Sequence, residues 1–349
     1  MFKIGQRDIG RGAPVFIVAE VSGNHNGDIK RALDIIDAAA DAGADAVKLQ
    51  TYTPDTMTID SDLPYFKVHS KNSKWDGKTL YELYAWAQTP WEWHEKLFAR
   101  AKRRGLICFS TPFDETAVDF LEKLSQPVYK VASFEVVDIP LLERIGKTKK
   151  PVIMSRGMAT TSELSLALKT LKKAGAPSVA VLQCVSEYPA KPEDMHLSNI
   201  PDIEKRFKVV AGLSDHTLSN DTVVAAVALG ACIIEKHLTL RRADGGPDAS
   251  FSLEPHEFKE LVASVREVER AIGKPSFERS KGEVANLAFR RSLFAVKDIA
   301  KGERFTSQNV RSIRPGHGLA PKELTRVLKK RAAKNIKRGE PLSLRLLRY

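Results

Sequence analysis

Short apolar runs alternate with longer amphipathic stretches through the first 240 residues. Eight runs stand out: VFIVAE (15–20), DAVKLQT (45–51), LICFST (106–111), VYKVAS (128–133), PVIMSR (151–156), VAVLQCVS (179–186), KVVAGLSDH (208–216) and CIIEKHL (232–238). Each has strand length and ends in polar side chains. Strands separated by helix-length segments predict parallel pairing, and eight of them predict an α/β fold of the (β/α)8 TIM barrel type. In that fold the strands' carboxy-terminal ends meet at one mouth. Lys48, Gln50, Thr111, Lys130, Ser133, Ser155, Ser186, Ser214, His216, Glu235 and His237 are therefore expected to converge there.

The intervening segments carry helix signals. Over 28–43, Ile29, Leu33, Ile36 and Ala40 share a face, with Asp28 placed to cap the start and Gly43 to end it. Thr160-Thr161-Ser162-Glu163 has capping-box spacing ahead of Leu164, Leu168 and Leu171. Phe258, Leu261, Val262, Val265 and Ile272 predict a closing helix. Residues 52–95 form a long excursion rich in aromatics and Asp, the kind of loop that shapes a barrel's pocket.

These features predict a barrel over 1–272, a linker over 273–289 and a small module over 290–349. The module carries an internal repeat: AVKDIAKGERFT (295–306) matches AAKNIKRGEPLS (332–343) at a spacing of 37 residues. Two such turns predict a pseudo-symmetric, mostly β fold with short strands.

Charge divides the chain the same way. Residues 290–349 hold 17 Lys and Arg against 4 Asp and Glu, whereas residues 1–289 hold 38 against 39. A basic module beside a near-neutral barrel implies an anionic partner: a substrate, the acidic rim of another subunit, or nucleic acid. Three cysteines, at 108, 184 and 232, fall in predicted strands, which fits reduced thiols and a cytoplasmic protein. Cys184 also ends a strand and is a candidate nucleophile. No signal-like or membrane-spanning segment is present, so no membrane association is expected.

Three groups carry candidate chemistry. His216 and His237 end neighbouring strands and point to the same side as Ser214 and Glu235, so two imidazoles are placed to hold a divalent ion, Mn²⁺ first, or alternatively to hydrogen-bond in the mouth. Lys48 and Lys130, with Thr111, Ser133, Ser155, Ser186 and Ser214, suit an anion bearing phosphate and carboxylate. Glu135, just past the fourth run, is a possible general base whose pKa two nearby cations would hold down. Glu20, His25 and Asp248 are placed to grip a polyhydroxylated substrate. A Schiff-base aldolase built on Lys130 or Lys236 is the rival enzyme, with Lys236 expected to point out of the bore. A basic nucleic-acid- or carbohydrate-binding protein is the rival of another class. With only Phe294, Phe305 and Tyr349 over 290–349, aromatic stacking on bases is poorly supported, and no nucleic-acid partner is expected.

At these residues the chain resembles a known family. AEVSGNHNGD, ADAVKLQTY, FSTPFD, YKVASFE, GLSDHT, IEKHLTL and FRRSL look like the motifs of the sialic acid synthase family, which condenses phosphoenolpyruvate with an N-acylated amino sugar. The last module is similar to the family's SAF, or antifreeze-like, domain. KLQTYTPDTMTIDSD, the 80–98 stretch and SIRPGHGL resemble most the branch that makes pseudaminic acid. The resemblance implies a carbon–carbon bond-forming transferase with phosphoenolpyruvate on Lys48, Thr111, Lys130, Ser133, Ser155, Ser186 and Ser214. It implies catalytic roles for Glu135, His216 and His237, the two histidines as ligands of Mn²⁺, with Mg²⁺ or Co²⁺ as substitutes. Asn26, Tyr188 and Asp248 match sugar-binding positions, and Arg314 matches an arginine that reaches the sugar of a partner's site in a homodimer with swapped carboxy-terminal domains. N-acetylneuraminate synthases typically carry Glu at the position of Asn26 and Asn at that of Ser186. Both departures weaken the case for N-acetylmannosamine and are compatible with a 6-deoxy, diacetamido sugar, which offers fewer hydroxyls.

Overall fold

The computed structural model describes residues 1–69 and 76–348. They form two compact units, Met1–Gly273 and Lys274–Tyr349, so the first ends one residue from the predicted boundary.

The first unit opens with a hairpin, β1 (Phe2–Ile4) and β2 (Arg7–Ile9). Eight strands follow: β3 (Phe16–Glu20), β4 (Ala46–Thr51), β5 (Ile107–Pro112), β6 (Tyr129–Val131), β7 (Val152–Ser155), β8 (Val179–Cys184), β9 (Val210–Asp215) and β10 (Ile233–His237). Seven fall inside the predicted runs, and β5 extends one residue beyond its run, to Pro112. They pair in parallel in the order β5-β4-β3-β10-β9-β8-β7-β6, and helices alternate with them. The first strand pairing the last is what turns the sheet into a nearly closed barrel. Between β5 and β6 no ladder forms; there the Ser110 N–H donates to Gln126 Oε1 at 2.9 Å.

Strand side chains alternate between bore and helices. Phe16, Val18, Ala46, Phe109, Val128, Ile153, Ala180, Leu182 and Ile233 pack together inside, and Ile4 and Ile9 of the hairpin join them. The hairpin therefore plugs the amino-terminal end of the bore, a role no periodicity in its few residues announced. Ile17, Val47, Leu49, Val131, Met154, Val181, Leu213 and Ile234 face outward onto the helices.

Helix Ile29–Ala42 is bounded as predicted: the Asp28 carboxylate accepts the Lys30 N–H, and Gly43 follows at φ +88°. Its buried residues are Ala32, Ile35, Ile36, Ala39 and Ala42; of the predicted face Ile36 is buried, Leu33 and Ala40 are half-buried against the same core, and Ile29 is half-buried. Thr160 and Glu163 cap helix Thr161–Ala174 reciprocally. Helix Pro255–Ile272 buries Phe258, Leu261, Val262 and Val265, while Ile272, at its end, is exposed. The excursion contains helices Pro54–Met57 and Leu80–Ala87, and its residues 70–75 lie outside the described residues. No described helix is long and apolar enough to cross a membrane.

In the second unit, the stretch read as an irregular linker contains a helix, Lys281–Ala285, closed by a Ser280–Glu283 capping box. That Ser-x-x-Glu signal was present in the sequence. β11 (Ser292–Ala295) pairs antiparallel with β12 (Val310–Ile313), and β13 (Arg331–Ala332) with β14 (Leu347–Arg348). The repeat folds into mirrored turns that face each other. Ile299 and Ile336 exchange backbone hydrogen bonds at 2.8 and 2.9 Å. The Lys301 N–H donates to Asn335 Oδ1 at 2.8 Å, and its counterpart, the Arg338 N–H, donates to Asp298 Oδ1 at 2.7 Å.

Candidate functional site

The alternation that fills the bore with apolar side chains brings polar ones inward two residues later, at the strand ends. Register aligns them: Glu20 lies beside Lys48 and His237, Gln50 beside Thr111, and Glu235 beside Ser214. Lys48 Nζ sits 2.7 Å from Glu20 Oε2 and 3.6 Å from Glu235 Oε1, and donates to Thr111 Oγ1 at 3.3 Å. Lys130 Nζ donates to Ser155 Oγ at 2.8 Å and lies 3.6 Å from the same Glu235 oxygen, which also accepts from Ser214 Oγ at 3.2 Å. Two ammonium groups are thus balanced by two carboxylates, all buried. Burial works against the Lys48 charge, but Glu20 and Glu235 outweigh it and hold the ammonium above its ordinary range. Lys130 is lowered by burial, which Glu235 only partly offsets.

Ser133 and Ser186 meet at 2.8 Å between their hydroxyls. Gly157 makes that possible. Its φ is +45°, and a Cβ there would stand 2.3 Å from Ser133 Cβ and 2.7 Å from Ser186 Oγ. A glycine two residues past Ser155 was legible; its packing role was not.

His216 and His237 come together with ring centroids 5.4 Å apart. Tyr188 and Phe251 wall them in: Tyr188 lies 4.5 Å from His216, and Phe251 lies 4.9 Å from His237. His216 Nδ1 is 2.8 Å from the Val185 carbonyl, which only accepts, so Nδ1 carries the proton and Nε2 keeps its lone pair. Burial lowers both imidazoles, His237 well below its ordinary value, so both are neutral at physiological pH. His237 Nδ1 is buried without a hydrogen-bond partner. Two neutral imidazoles, one with an orphaned nitrogen, fit a divalent cation. Among the described residues no group of three or more His, Cys, Asp and Glu is assembled as a fuller cage.

Glu135 stands in the turn Ser133–Val137 after β6, and its Oε2 is buried without a hydrogen-bond partner. The expectation that cations hold its pKa down is wrong. Burial dominates and pushes the carboxyl up to about 7, against a backbone hydrogen bond and Lys130, which both pull it down.

The sugar-side residues divide. Asp248 accepts from Ser22 Oγ, which in turn accepts from Gln50 Nε2 at 3.1 Å, and burial raises the Asp248 carboxyl. Asn26 holds the neighbouring loop through Gly245 O at 3.0 Å, leaving a buried Oδ1 without a partner. His25 is committed to structure: Gly27 N–H donates to its Nδ1 at 3.1 Å, Thr89 Oγ1 lies 3.2 Å from Nε2, and burial lowers it to about 4. Lys236 points away from the bore as predicted, onto Asp215 at 2.6 Å, and is therefore no Schiff-base candidate. The Cys184 thiol is raised to about 11 by burial, which removes it as a nucleophile. Sequence reasoning missed Phe251, and it missed Tyr84, whose ring packs 5.8 Å from that of Tyr52 and whose hydroxyl feels Glu135. Only the aromatic richness of the excursion hinted at Tyr84. In the second unit, Arg314 is exposed and lines a cavity of about 930 Å³ with Arg290, Arg291 and Lys322.

Known proteins share this arrangement of sequence. The family described as the NeuB family matches residues 35–276, and the SAF domain matches residues 290–348. The chain is 45% identical over 328 residues to the pseudaminic acid synthase of Campylobacter jejuni subsp. jejuni serotype O:2, covering 94% of this chain and 95% of that one. It is 42% identical over 332 residues to the pseudaminic acid synthase of Helicobacter pylori, covering 95% and 97%. The crystal structure of N-acetylneuraminic acid (sialic acid) synthetase from Leptospira borgpetersenii serovar Hardjo-bovis, in complex with citrate, matches with a TM-score of 0.72 at 32% identity, over 82% of this chain and 94% of that one. The barrel, its motifs and relatives aligned along almost their whole length agree: the chain belongs to the NeuB family, the sialic acid synthase family that its motifs resemble, and carries an SAF domain.

Proposed function

We propose that this chain is a pseudaminic acid synthase, condensing phosphoenolpyruvate with 2,4-diacetamido-2,4,6-trideoxy-β-L-altropyranose and water to give pseudaminic acid and phosphate. The observation that carries the reading is one buried mouth in which Lys48, Lys130 and five hydroxyls stand with the His216–His237 pair, in a chain 42–45% identical to pseudaminic acid synthases over almost their whole length.

Lys48 and Lys130 supply fixed positive charge to the phosphate and carboxylate, and Thr111, Ser133, Ser155, Ser186 and Ser214 supply hydroxyl donors. Asp248 and Tyr188 orient the open-chain sugar so that its aldehyde faces C3 of phosphoenolpyruvate. As the C3–C1 bond forms, positive charge develops at C2. Glu135, ionised above about pH 7, takes a proton from the water that adds there. Phosphate then leaves with its bridging oxygen, by C–O cleavage. His216 and His237 would hold Mn²⁺, whose chemistry there is that of a Lewis acid on the aldehyde oxygen. The same reading places the protein in the cytoplasm as a homodimer, with Arg314 of each chain serving the other's sugar.

The test is incubation with Mn²⁺, ¹⁸O-bridged phosphoenolpyruvate and three sugars: the altro-configured substrate above, its manno-series counterpart, and N-acetylmannosamine. Labelled phosphate with the altro sugar preferred is the expected result. Preference for either other sugar reassigns the product, and label kept in the keto acid removes C–O cleavage. Activity that survives thorough chelation would remove the metal.

A further inference from the structure

The polar mouth has an apolar lip. In the turn Ser133–Val137, Ser133 and Val136 are buried, while Phe134 and Val137, three residues apart and so on one side of a 3₁₀ turn, are 55% and 57% exposed. Met158, in the turn after β7, is 61% exposed. The two turns touch where Gly157 meets Ser133, so Phe134 and Met158 spring from adjoining backbone. Phe134 also sits in the chain between two site residues: Ser133, hydrogen-bonded to Ser186, and Glu135, with its unpartnered carboxylate oxygen. Each neighbouring Cα is about 3.8 Å away.

Exposed apolar side chains clustered at a polar cleft mark a surface that a ligand covers. The ammonium groups and hydroxyls of the mouth complement phosphate, carboxylate and sugar hydroxyls, and leave methyl groups without a partner. The proposed sugar carries three: C6 and two acetamido methyls. We infer that Phe134, with Val137 exposed on the same turn and Met158 on the adjoining one, is a specificity-determining wall that packs against a methyl-bearing substituent of the sugar. The inference rests on the reaction proposed above. It makes Phe134 a reason why a deoxy, N-acylated sugar is preferred to a hydroxylated one.

The test compares Phe134→Ala, Phe134→Leu and Met158→Ala with the unaltered chain on three sugars: the proposed substrate, an analogue hydroxylated at C6, and one with an acetamido group replaced by hydroxyl. Losing contact with one methyl-bearing group is expected to reduce discrimination in kcat/KM about tenfold for Phe134→Ala, and less for Met158→Ala. The loss should appear in the KM for sugar, with the KM for phosphoenolpyruvate unchanged, and Phe134→Leu should recover most of it. The analogue whose penalty disappears identifies the substituent. Unchanged discrimination on both analogues overturns the inference. So does a uniform loss on all sugars accompanied by a changed oligomeric state, which would make the patch a contact with a second copy. No phosphate release by the unaltered protein with any sugar would instead overturn the reaction, and this inference with it.

Discussion

The two ends of the barrel bore are made by the same strands, two residues apart, and they obey opposite rules. At the amino-terminal end Phe16, Ala46, Phe109, Ile153 and Ile233 pack with the hairpin's Ile4 and Ile9 into a wholly apolar plug. At the other end Glu20, Lys48, Thr111, Lys130, Ser155 and Glu235 are just as buried, yet charged or polar, and Glu235 Oε2, Glu135 Oε2 and His237 Nδ1 have no hydrogen-bond partner. Apolar burial drives folding, whereas desolvated charge opposes it unless paired. One layer therefore holds the barrel together and the next stores the electrostatics that a charged reaction uses. Substitutions should separate the two.

The largest effect is expected at Glu135. Glu135→Gln should lower kcat/KM by about 10²–10⁴. In the unaltered chain the rate should climb as pH rises through about 7, where the buried carboxyl ionises, and that limb should vanish in the variant. Stability should move the other way. The folded-state pKa lies above the ordinary 4.5, so the group stabilises the fold below about 4.5 and that contribution is lost as pH rises through about 7. Above pH 7 the variant should melt higher than the parent, and below pH 4.5 that advantage should be gone. A variant destabilised at pH 8 would show Glu135 to be a structural group.

Phe109 and Thr111 set the two layers against each other on one strand. Phe109→Ala should cost about 3–5 kcal/mol in denaturant unfolding, with kcat per folded molecule preserved. Thr111→Val keeps shape and removes one hydroxyl. It should reduce kcat/KM by about ten- to a hundredfold, the worth of a hydrogen bond to a charged group, while the unfolding midpoint shifts little. If Phe109→Ala impaired turnover as much as stability, the layers would not be separable.

The contrast also explains how much could be read from sequence. Strands and their inward residues were legible because period-two alternation is local: once Val18 faces in, so does Glu20. The convergence of Lys48, Lys130, His216 and His237 followed from the barrel alone. What was not legible depends on who lies next to whom. That Lys48 stands against Glu20 and Glu235 needs the register of β3, β4 and β10, and that burial outweighs Lys130 at Glu135 needs the packing of the turn after β6. The hairpin plug, the edge-on contact of Phe251 with His237 and the approach of Tyr84 to Glu135 are likewise set by loops packing onto a finished barrel. Helix Ile29–Ala42 shows the finer limit: its buried stripe takes in Ala32, Ile35 and Ala39, a step round from the predicted Leu33 and Ala40, which are half-buried.

The smallest effects are expected where the chain repeats itself rather than divides. In the SAF domain Asp298 and Asn335 occupy equivalent places, and each side chain accepts a backbone N–H of the opposite turn. Asn335→Ala and Asp298→Ala should each cost about 1 kcal/mol, the usual worth of such a bond. Hydrogen exchange on the intact protein gives a sharper reading. Asn335→Ala should deprotect the Lys301 amide, and Asp298→Ala the Arg338 amide. Because Ile299 and Ile336 join the two turns through paired backbone bonds, the double variant should lose more than the sum of the singles. Strict additivity would mean that each turn holds its shape alone, and that the repeat is two independent caps rather than one symmetric unit.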